Sequence, residues 1–399
     1  MSTSMPFHLA GVSHHTADVS VREHLVLAPE EVAVWLERER QAGRSLVVLS
    51  TCNRLELYWW GDHDQEAGLR AVARERGLPL DPRTVYRRDG LPALSHLFLV
   101  AAGLDSQVLG EHEIAGQVRR AYEQAHTFGT STWELDAAFA AALAAGRRAR
   151  RETALGRHPG SVASASVAHA KRCSGGSFEG RNLLVLGAGE VAEGVLHALE
   201  AEPCASVLVL SRTEARAEAL VSDRAAAWAA WDTLPQAVAR ADVVFAATAA
   251  AEPVLSAPAL AEALQHRPER PLVTLDLAVP RNVEAAARDV PGVRLFDLDD
   301  LRLQHCPAAV GCSPALEEAE ALVRTELSRF RKTLRGRVVG PHLAELHRLG
   351  ERVAREEADR TLAELGSLSE EQQEVVRLMA ERLVRRVLYP ASRKIRESL

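Results

Sequence analysis

Aromatic residues make up only 5% of this 399-residue chain, too few to build the stacking surface on which single-stranded nucleic acid is usually held. Cationic charge is not in excess either. Lys and Arg number 48 against 54 Asp and Glu, a formal net charge of −6, so there is no global pull toward phosphate and any nucleic acid must be met by local basic patches. Cysteine is sparse: Cys52, Cys173, Cys204, Cys306 and Cys312 are odd in number, irregular in spacing and contain no CxxC pair, which excludes a disulfide framework and a zinc ribbon. No apolar run approaches the ~20 residues that span a bilayer. The opening MSTSMPFHLAG has no basic region followed by an apolar core, so neither membrane contact nor a signal peptide is expected, and a cytoplasmic location is.

What is present fits a globular chain. Hydrophobic residues at 47% and charged residues at 26% can bury a sizeable core, and ~150 residues per domain gives two or three domains. Phe7 to Val12, Leu46 to Leu49 and Leu55 to Trp60 read as strands, with an amphipathic helix near Glu30 to Gln41 and a tight connection over Ser50 to Arg54. Ala93 to Ala149 is nearly all helical. After Gly160, apolar runs at Leu183 to Leu186, Val207 to Leu210, Val243 to Ala246 and Leu272 to Leu277 alternate with alanine-rich helices, the pattern of a doubly wound parallel sheet. From Ser313 the composition turns helical. Ser313 suits a cap and Pro314 the first turn, and the long helix is expected to stop near Val339, before Gly340 and Pro341. The expected plan is α/β and multidomain: an N-terminal α/β domain finished by helices (1–158), a Rossmann-like doubly wound domain (159–306), and a long helix with further C-terminal helices suited to oligomerisation (307–399).

LLVLGAGEVAEGV carries the first motif. Gly187 permits the turn after a strand, Gly189 lets backbone approach a pyrophosphate, and Ala192 lets helix and strand pack closely; Ala188, Glu190 and Val191 complete the turn and open the helix whose N-terminus faces the phosphates. The next strand ends in Ser211-Arg212-Thr213 and not in an acid. Arg212, with Arg216 nearby, suits a 2′-phosphate, so NADPH is the expected cofactor.

LVVLSTCNRLELY carries the second. Cys52 ends an apolar strand inside a polar run that would pack poorly in a core, and Arg54 supplies a cation that favours thiolate or clamps a carboxylate. Thr51 and Asn53 add groups that orient a substrate. A thiolate beside a nicotinamide narrows the chemistry to an activated acyl group: a thioester accepts hydride, and a carboxylate does not.

With STCNRLELY, HLFLVAAGLDSQVLGEHEIAGQV, GSVASASVAHA, LGAGEVAEGV, LSRTEARAEAL, LDLAVPRNV and ERLVRRVLYP in this order, the chain resembles the glutamyl-tRNA reductase family over almost its whole length. The resemblance implies NADPH-dependent formation of glutamate-1-semialdehyde for 5-aminolevulinate and tetrapyrrole synthesis. Cys52 would attack the ester joining glutamate to tRNA, with His96 orienting or protonating the leaving ribose oxygen. Thr51, Asn53, Arg54, Ser106, Glu111, His112, Glu113 and Gln117 would hold the glutamyl group. The resemblance also implies a V-shaped homodimer, with the N-terminal catalytic domain and the NADPH-binding domain along one long spinal helix and the C-terminal helices as the dimerisation domain, and, as a further partner, the aminomutase that consumes the semialdehyde. On the residues alone, His96 also suits a helix histidine satisfied by core hydrogen bonds.

Two positions depart from the family pattern. Glu111-His112-Glu113 stands where Glu-Pro-Gln is usual, and ATAA at 247–250 replaces Ser-Thr-Gly-Ala. Ala249 lacks the freedom of glycine at φ > 0. Basic runs at Arg147 to Arg151, Arg329 to Lys332, Arg385-Arg386 and Arg393-Lys394 offer phosphate contacts or solvated helix faces. The competing readings are a shikimate-dehydrogenase-like NADP oxidoreductase, which would not need Cys52, and a non-catalytic tRNA- or nucleotide-binding scaffold.

Overall fold

The computed structural model describes residues 5–78, 80–106, 113–153, 161–265, 270–305, 314–366 and 368–398. Two compact units divide the chain, Met1–Arg324 and Thr325–Leu399.

The first unit opens with β1 (Phe7–Ser13), the one-turn helix α1 (Val19–Arg22), α2 (Pro29–Gln41), β2 (Val47–Ser50), β3 (Arg54–Trp60), α3 (Glu66–Glu75) and β4 (Tyr86–Asp89). Helices α4 (Leu91–Ala102), α5 (Glu113–Phe128) and α6 (Trp133–Glu152) follow. The four strands form an antiparallel sheet in the order β2-β3-β1-β4. Strand β3 shows how the sheet positions the site. Its side chains alternate with a period of two: Leu55, Leu57 and Trp59 enter a core with Trp35 and Leu36 of α2 and Leu69 of α3, whereas Glu56 and Tyr58 on the other face meet His96 of α4 and Phe139 of α6. β4, with the sequence YRRD, is an edge strand whose polarity hides it from a hydrophobic-run reading.

The unit continues through α7 (Val162–Cys173), β5 (Asn182–Leu186), α8 (Glu190–Leu199), β6 (Ser206–Leu210), α9 (Glu214–Val221), β7 (Ala227–Ala229) and α10 (Leu234–Arg240). Then come β8 (Val243–Ala246), α11 (Ala257–Gln265), β9 (Leu272–Asp276), β10 (Val293–Phe296) and α12 (Leu298–His305). All six strands are parallel, in the order β10-β9-β8-β5-β6-β7. The order reverses between β5 and β8, and a dinucleotide crevice belongs there, beyond the strand C-termini. Apolar side chains cover both faces: Val185, Val209, Phe245 and Leu275 on one, Leu184, Leu210, Val244 and Leu272 on the other.

Helix α13 (Pro314–Leu365) and helix α14 (Glu370–Ser398) end the chain. The expected stop near Val339 is corrected: α13 passes through Gly340 and Pro341 as helix. Proline removes one N–H and costs ~3 kcal/mol, which long helical flanks on both sides absorb. Ser313, the expected cap, lies outside the described residues. Within the second unit, Gly350 lets α14 approach α13 closely; a Cβ there would lie 2.6 Å from Leu388 Cδ1. Leu349, Val353, Val375, Met379, Leu383 and Val387 remain exposed. Among the described residues, no helix is long and apolar enough to cross a membrane.

The crossing of α4 and α6 depends on Gly146, where a Cβ would stand 2.4 Å from the Ala101 carbonyl oxygen. Gly146→Ala is therefore expected to cost about 1–3 kcal/mol as the helices are forced apart. Urea unfolding measures this; an unshifted midpoint would show that the helices do not meet so closely.

Candidate active site

Thr51, Cys52 and Asn53 form the whole connection between β2 and β3. Such a short link needs local hydrogen bonds, and Thr51 supplies them. Its Oγ1 accepts from the backbone N–H of Asn53 at 3.1 Å and of Arg54 at 3.2 Å, and its own N–H donates to the Arg54 carbonyl at 2.8 Å. Cys52 stands at the tip, half-buried. Arg22, the last residue of α1, donates to the Cys52 carbonyl at 2.6 Å and to Asn53 Oδ1 at 3.1 Å. Thr51 and Asn53, expected to hold substrate, thus shape the turn that presents the sulfur. Cys52 also packs against the apolar cluster built from α7, α8 and the parallel sheet, which includes Ala192 and Leu277.

Two residues on, Arg54 is buried, with 1% exposure, beside a fully buried Glu56. Arg54 Nη1 donates to Glu56 Oε1 at 2.7 Å and to Asp105 Oδ2 at 3.0 Å, and Nη2 donates to the Asp105 carbonyl. Around Glu56 the network closes. His96 Nε2 lies 2.7 Å from Oε1, the Tyr86 hydroxyl donates to Oε1 at 2.5 Å, and the Tyr58 hydroxyl donates to Oε2 at 2.5 Å. Gly11, opposite Glu56 in the ladder, makes the room: a Cβ there would fall 2.8 Å from Glu56 Cγ. Burial works to raise the Glu56 pKa, but the Arg54 guanidinium and His96 outweigh it and hold the carboxyl well below its ordinary range. Burial likewise opposes ionisation of Asp105, and its contacts with His15 and Arg54 overcome this, again lowering the pKa. Arg54 Nε is buried with no hydrogen-bond partner.

The network brings Arg54, His96 and, one residue beyond Asp105, Ser106 to one side of β3, next to the Cys52 turn. His96 is 2% exposed with its Nε2 turned to Glu56, the arrangement of a satisfied core histidine. Glu113 and Gln117 are half-buried on α5. Glu111 and His112 lie outside the described residues, as do Cys306 and Cys312. Among the described residues, no cluster of three or more His, Cys, Asp or Glu suits a metal ion.

At the β5–α8 turn, Gly187 takes φ +115°, and a Cβ there would be 2.2 Å from the Ala247 carbonyl oxygen. No other residue fits. Gly189 differs: a Cβ added to it would meet nothing within 4 Å, so the protein itself does not require glycine there, and the open space in front of the α8 N-terminus suits a phosphate. Ala192 is fully buried beneath the helix, next to half-buried Val191; Ala188 is half-buried and Glu190 exposed. Ser211 closes β6 by accepting the Thr213 N–H at 3.2 Å, and Arg212 and Arg216 are exposed beside it. These residues fit a phosphorylated dinucleotide. In the loop after β8, the Thr248 N–H donates to Asn282 Oδ1 at 2.7 Å. Ala249 takes no positive φ, since among the described residues only glycines do.

Sequence reasoning missed Arg22, Glu56, Tyr86 and Asp105. The signal for Glu56 was present: in Arg-Leu-Glu-Leu-Tyr the polar positions all fall on one face of β3, and that face is covered by helices.

The ionised Glu56 gives a pH signature. A carboxyl whose pKa is depressed by folding contributes stability above its unfolded pKa, and that stability is lost as pH falls toward the folded value. Glu56→Gln, which strands the buried Arg54, is expected to cost about 3–5 kcal/mol at pH 7. The gap from wild type should narrow as pH falls below about 5. Denaturant titrations at several pH values test this; a gap independent of pH would mean that Glu56 is not held as the anion.

Family models match three successive segments: "Glutamyl-tRNAGlu reductase, N-terminal domain" at residues 10–153, "Shikimate / quinate 5-dehydrogenase" at 168–303, and "Glutamyl-tRNAGlu reductase, dimerisation domain" at 318–398. The glutamyl-tRNA reductase of Myxococcus xanthus is 36% identical over 389 residues, covering 97% of this chain and 88% of its own length. Among solved structures, "Glutamyl-tRNA Reductase from Methanopyrus kandleri" is 30% identical, with a TM-score of 0.46, covering 99% of this chain and 98% of that one. The glutamyl-tRNA reductase of Chloroflexus aggregans is 35% identical over 414 residues, spanning 99% of this chain and 91% of its own length. Relatives 35–36% identical over 97–99% of this chain mean that the chain belongs to the glutamyl-tRNA reductase family.

Proposed function

We propose that this protein reduces glutamyl-tRNA with NADPH to glutamate-1-semialdehyde and releases the tRNA, the first committed step toward 5-aminolevulinate and the tetrapyrroles. One observation carries the reading: the Cys52 turn, built on the antiparallel sheet, lies against the core of the parallel sheet that bears the dinucleotide turn. Nucleophile and reductant site therefore meet at one seam. The division of labour follows residues 1–158 for acyl transfer, 159–306 for the cofactor and 307–399 for dimerisation.

In the first half-reaction the Cys52 sulfur attacks the ester carbonyl of the aminoacyl-tRNA; the ester C–O bond breaks, and the ribose oxygen leaves with a proton. Arg54, fixed by Glu56 and Asp105, is the cation assigned to the glutamate γ-carboxylate. Ser106, Glu113 and Gln117 complete the glutamyl pocket, with Glu111 and His112. His96 acts through Glu56, keeping the carboxylate and hence Arg54 in place. In the second half-reaction NADPH, held at the α8 N-terminus, would supply the hydride for the thioester carbonyl carbon, and Cys52 would take back the C–S bonding pair as thiolate and free the aldehyde. The α8 N-terminus with Gly187 to Ala192 binds the pyrophosphate, and Ser211 and Arg212 take the 2′-phosphate.

The exposed leucines and valines of α13 and α14 are the surface for a homodimer. The tRNA is met by fewer cations than the sequence offers: Arg148 pairs with Glu152 at 2.9 Å, and Arg150 turns to the carbonyls ending α4, leaving Arg147 exposed. The aminomutase that consumes the semialdehyde is the natural partner downstream.

Cys52→Ser is expected to abolish both tRNA release and NADPH oxidation. Arg212→Ala should raise KM for NADPH about 10- to 100-fold while leaving NADH unaffected, since a charge-assisted phosphate contact is worth ~1.5–3 kcal/mol. Activity that survives Cys52→Ser would favour a shikimate-dehydrogenase-like reaction; an unchanged NADPH preference in Arg212→Ala would sink the 2′-phosphate assignment.

A further inference from the structure

Arg22 sits where the two sheets of the first unit are joined. Its guanidinium is 2% exposed and has four named acceptors. Nε donates to the Ala17 carbonyl at 3.2 Å, and Nη1 to the Cys52 carbonyl at 2.6 Å and to Asn53 Oδ1 at 3.1 Å. Nη2 donates to Asp299 Oδ1 at 2.5 Å, and the other oxygen of Asp299 accepts the Val19 N–H at 2.8 Å. One carboxylate from α12 thereby receives both ends of the one-turn helix α1, and the arginine at the end of that helix holds the nucleophile's own peptide.

Both ends are anchored. Leu298 and Leu301, flanking Asp299, are buried in the core of the parallel sheet, so Asp299 moves only if α12 moves. Glu23 makes a second crossing, of opposite polarity: Arg281 Nε and Nη2 donate to its carboxylate at 2.9 and 2.5 Å, and the Arg281 N–H does so at 3.2 Å. Arg281 lies in the loop after β9, where Asp276 accepts the N–H groups of Ala278, Asn282 and Val283 at 3.1, 2.8 and 2.8 Å. Asn282 in turn accepts the Thr248 N–H at the rim of the dinucleotide crevice. Adjacent residues of one short helix thus grip two rigid points of the cofactor-binding half.

We propose that Arg22 is a positioning residue for hydride transfer: through Asp299 it fixes the Cys52 turn relative to the cofactor-binding half, so that an acyl group on Cys52 stays aligned with the reductant. The inference rests on the glutamyl reductase reading above and assigns the latch to the second half-reaction. Acyl transfer needs only the turn itself, which Thr51 and the other contacts of Arg22 maintain. Reduction needs both halves in register, and misplacement by ~1 Å is enough to cost on the order of 100-fold in rate. A thioester that waits unreduced is lost to water as free glutamate. Lysine cannot replace the arginine, because a single ammonium does not span acceptors on three separate segments.

The test uses full-length wild type, Asp299→Asn, Arg22→Lys and the double variant, with tRNA carrying labelled glutamate. Four quantities are read: tRNA release without NADPH, NADPH affinity by fluorescence, single-turnover reduction of the preformed thioester, and the ratio of semialdehyde to free glutamate. Asp299→Asn is expected to keep tRNA release and NADPH affinity within about 2-fold, to slow reduction on the order of 10- to 100-fold, and to shift product toward glutamate. Arg22→Lys should show the same reduction defect, and the double variant should be no worse than Arg22→Lys alone. Wild-type reduction and product ratio in Asp299→Asn would overturn the proposal. So would a parallel fall of all four quantities with the melting temperature, the mark of a merely structural bridge. A wild-type protein that neither releases tRNA nor oxidises NADPH would sink the reductase reading itself, and the latch with it.

Discussion

Glu56 is a carboxylate placed in the middle of a central strand, on a face covered by α4 and α6, where an unpaired charge would cost several kcal/mol. Everything around the cysteine turn follows from how that charge is satisfied. Arg54 must lie against it, so the residue two places after the nucleophile is locked; His96, Tyr58 and Tyr86 supply the remaining donors. Arg54 Nη1 also donates to the Asp105 carboxylate and Nη2 to the Asp105 carbonyl, which ties the segment after α4 to this strand. A cation held in this way is pre-organised: its conformation is fixed without the rotamer entropy that a solvent-exposed arginine would lose on binding an anion.

A second constraint is the seam between the two sheets. The antiparallel sheet carries the Cys52 turn and the parallel sheet carries the dinucleotide turn, and the proposed formation and reduction of a thioester needs both. Apolar packing of Cys52 against the neighbouring core brings the halves together, and the charged crossings from α1 set their register. Non-directional burial supplies the attraction and directional hydrogen bonds supply the geometry, the usual partition where alignment of reacting groups matters.

The fold was legible in the sequence wherever an element buries an apolar pattern. Four of the parallel strands and the glycine turn announce themselves as apolar runs ended by glycine or a polar residue, because strands covered on both faces admit little else. β4, β7 and β10 were not legible: all three edge their sheets, and YRRD, AWA and VRLF are too short or too polar to stand out. The length of α13 was misread because Gly340 and Pro341 act only locally, whereas the helix is decided by dozens of residues around them. At the site, Cys52, Arg54 and the glycine turn were visible as local motifs. Arg22 and Asp105 were not, since each gains its meaning from partners tens to hundreds of residues away; Glu56 was passed over although Arg54 and Tyr58, two residues to either side, share its strand face. The tertiary contacts add what local motifs do not show: Thr51 and Asn53 take part in shaping the turn, and His96 meets the buried carboxylate.

The central claim is that the sulfur at the tip of the β2–β3 turn carries the glutamyl group until it is reduced. Intact and peptide mass spectrometry, after mixing the protein with glutamyl-tRNA in the absence of cofactor, tests it most directly. A glutamyl adduct confined to the Cys52 peptide, discharged as semialdehyde when NADPH is added, is the expected result. An adduct on another residue, or turnover to semialdehyde with Cys52 never acylated, would contradict it.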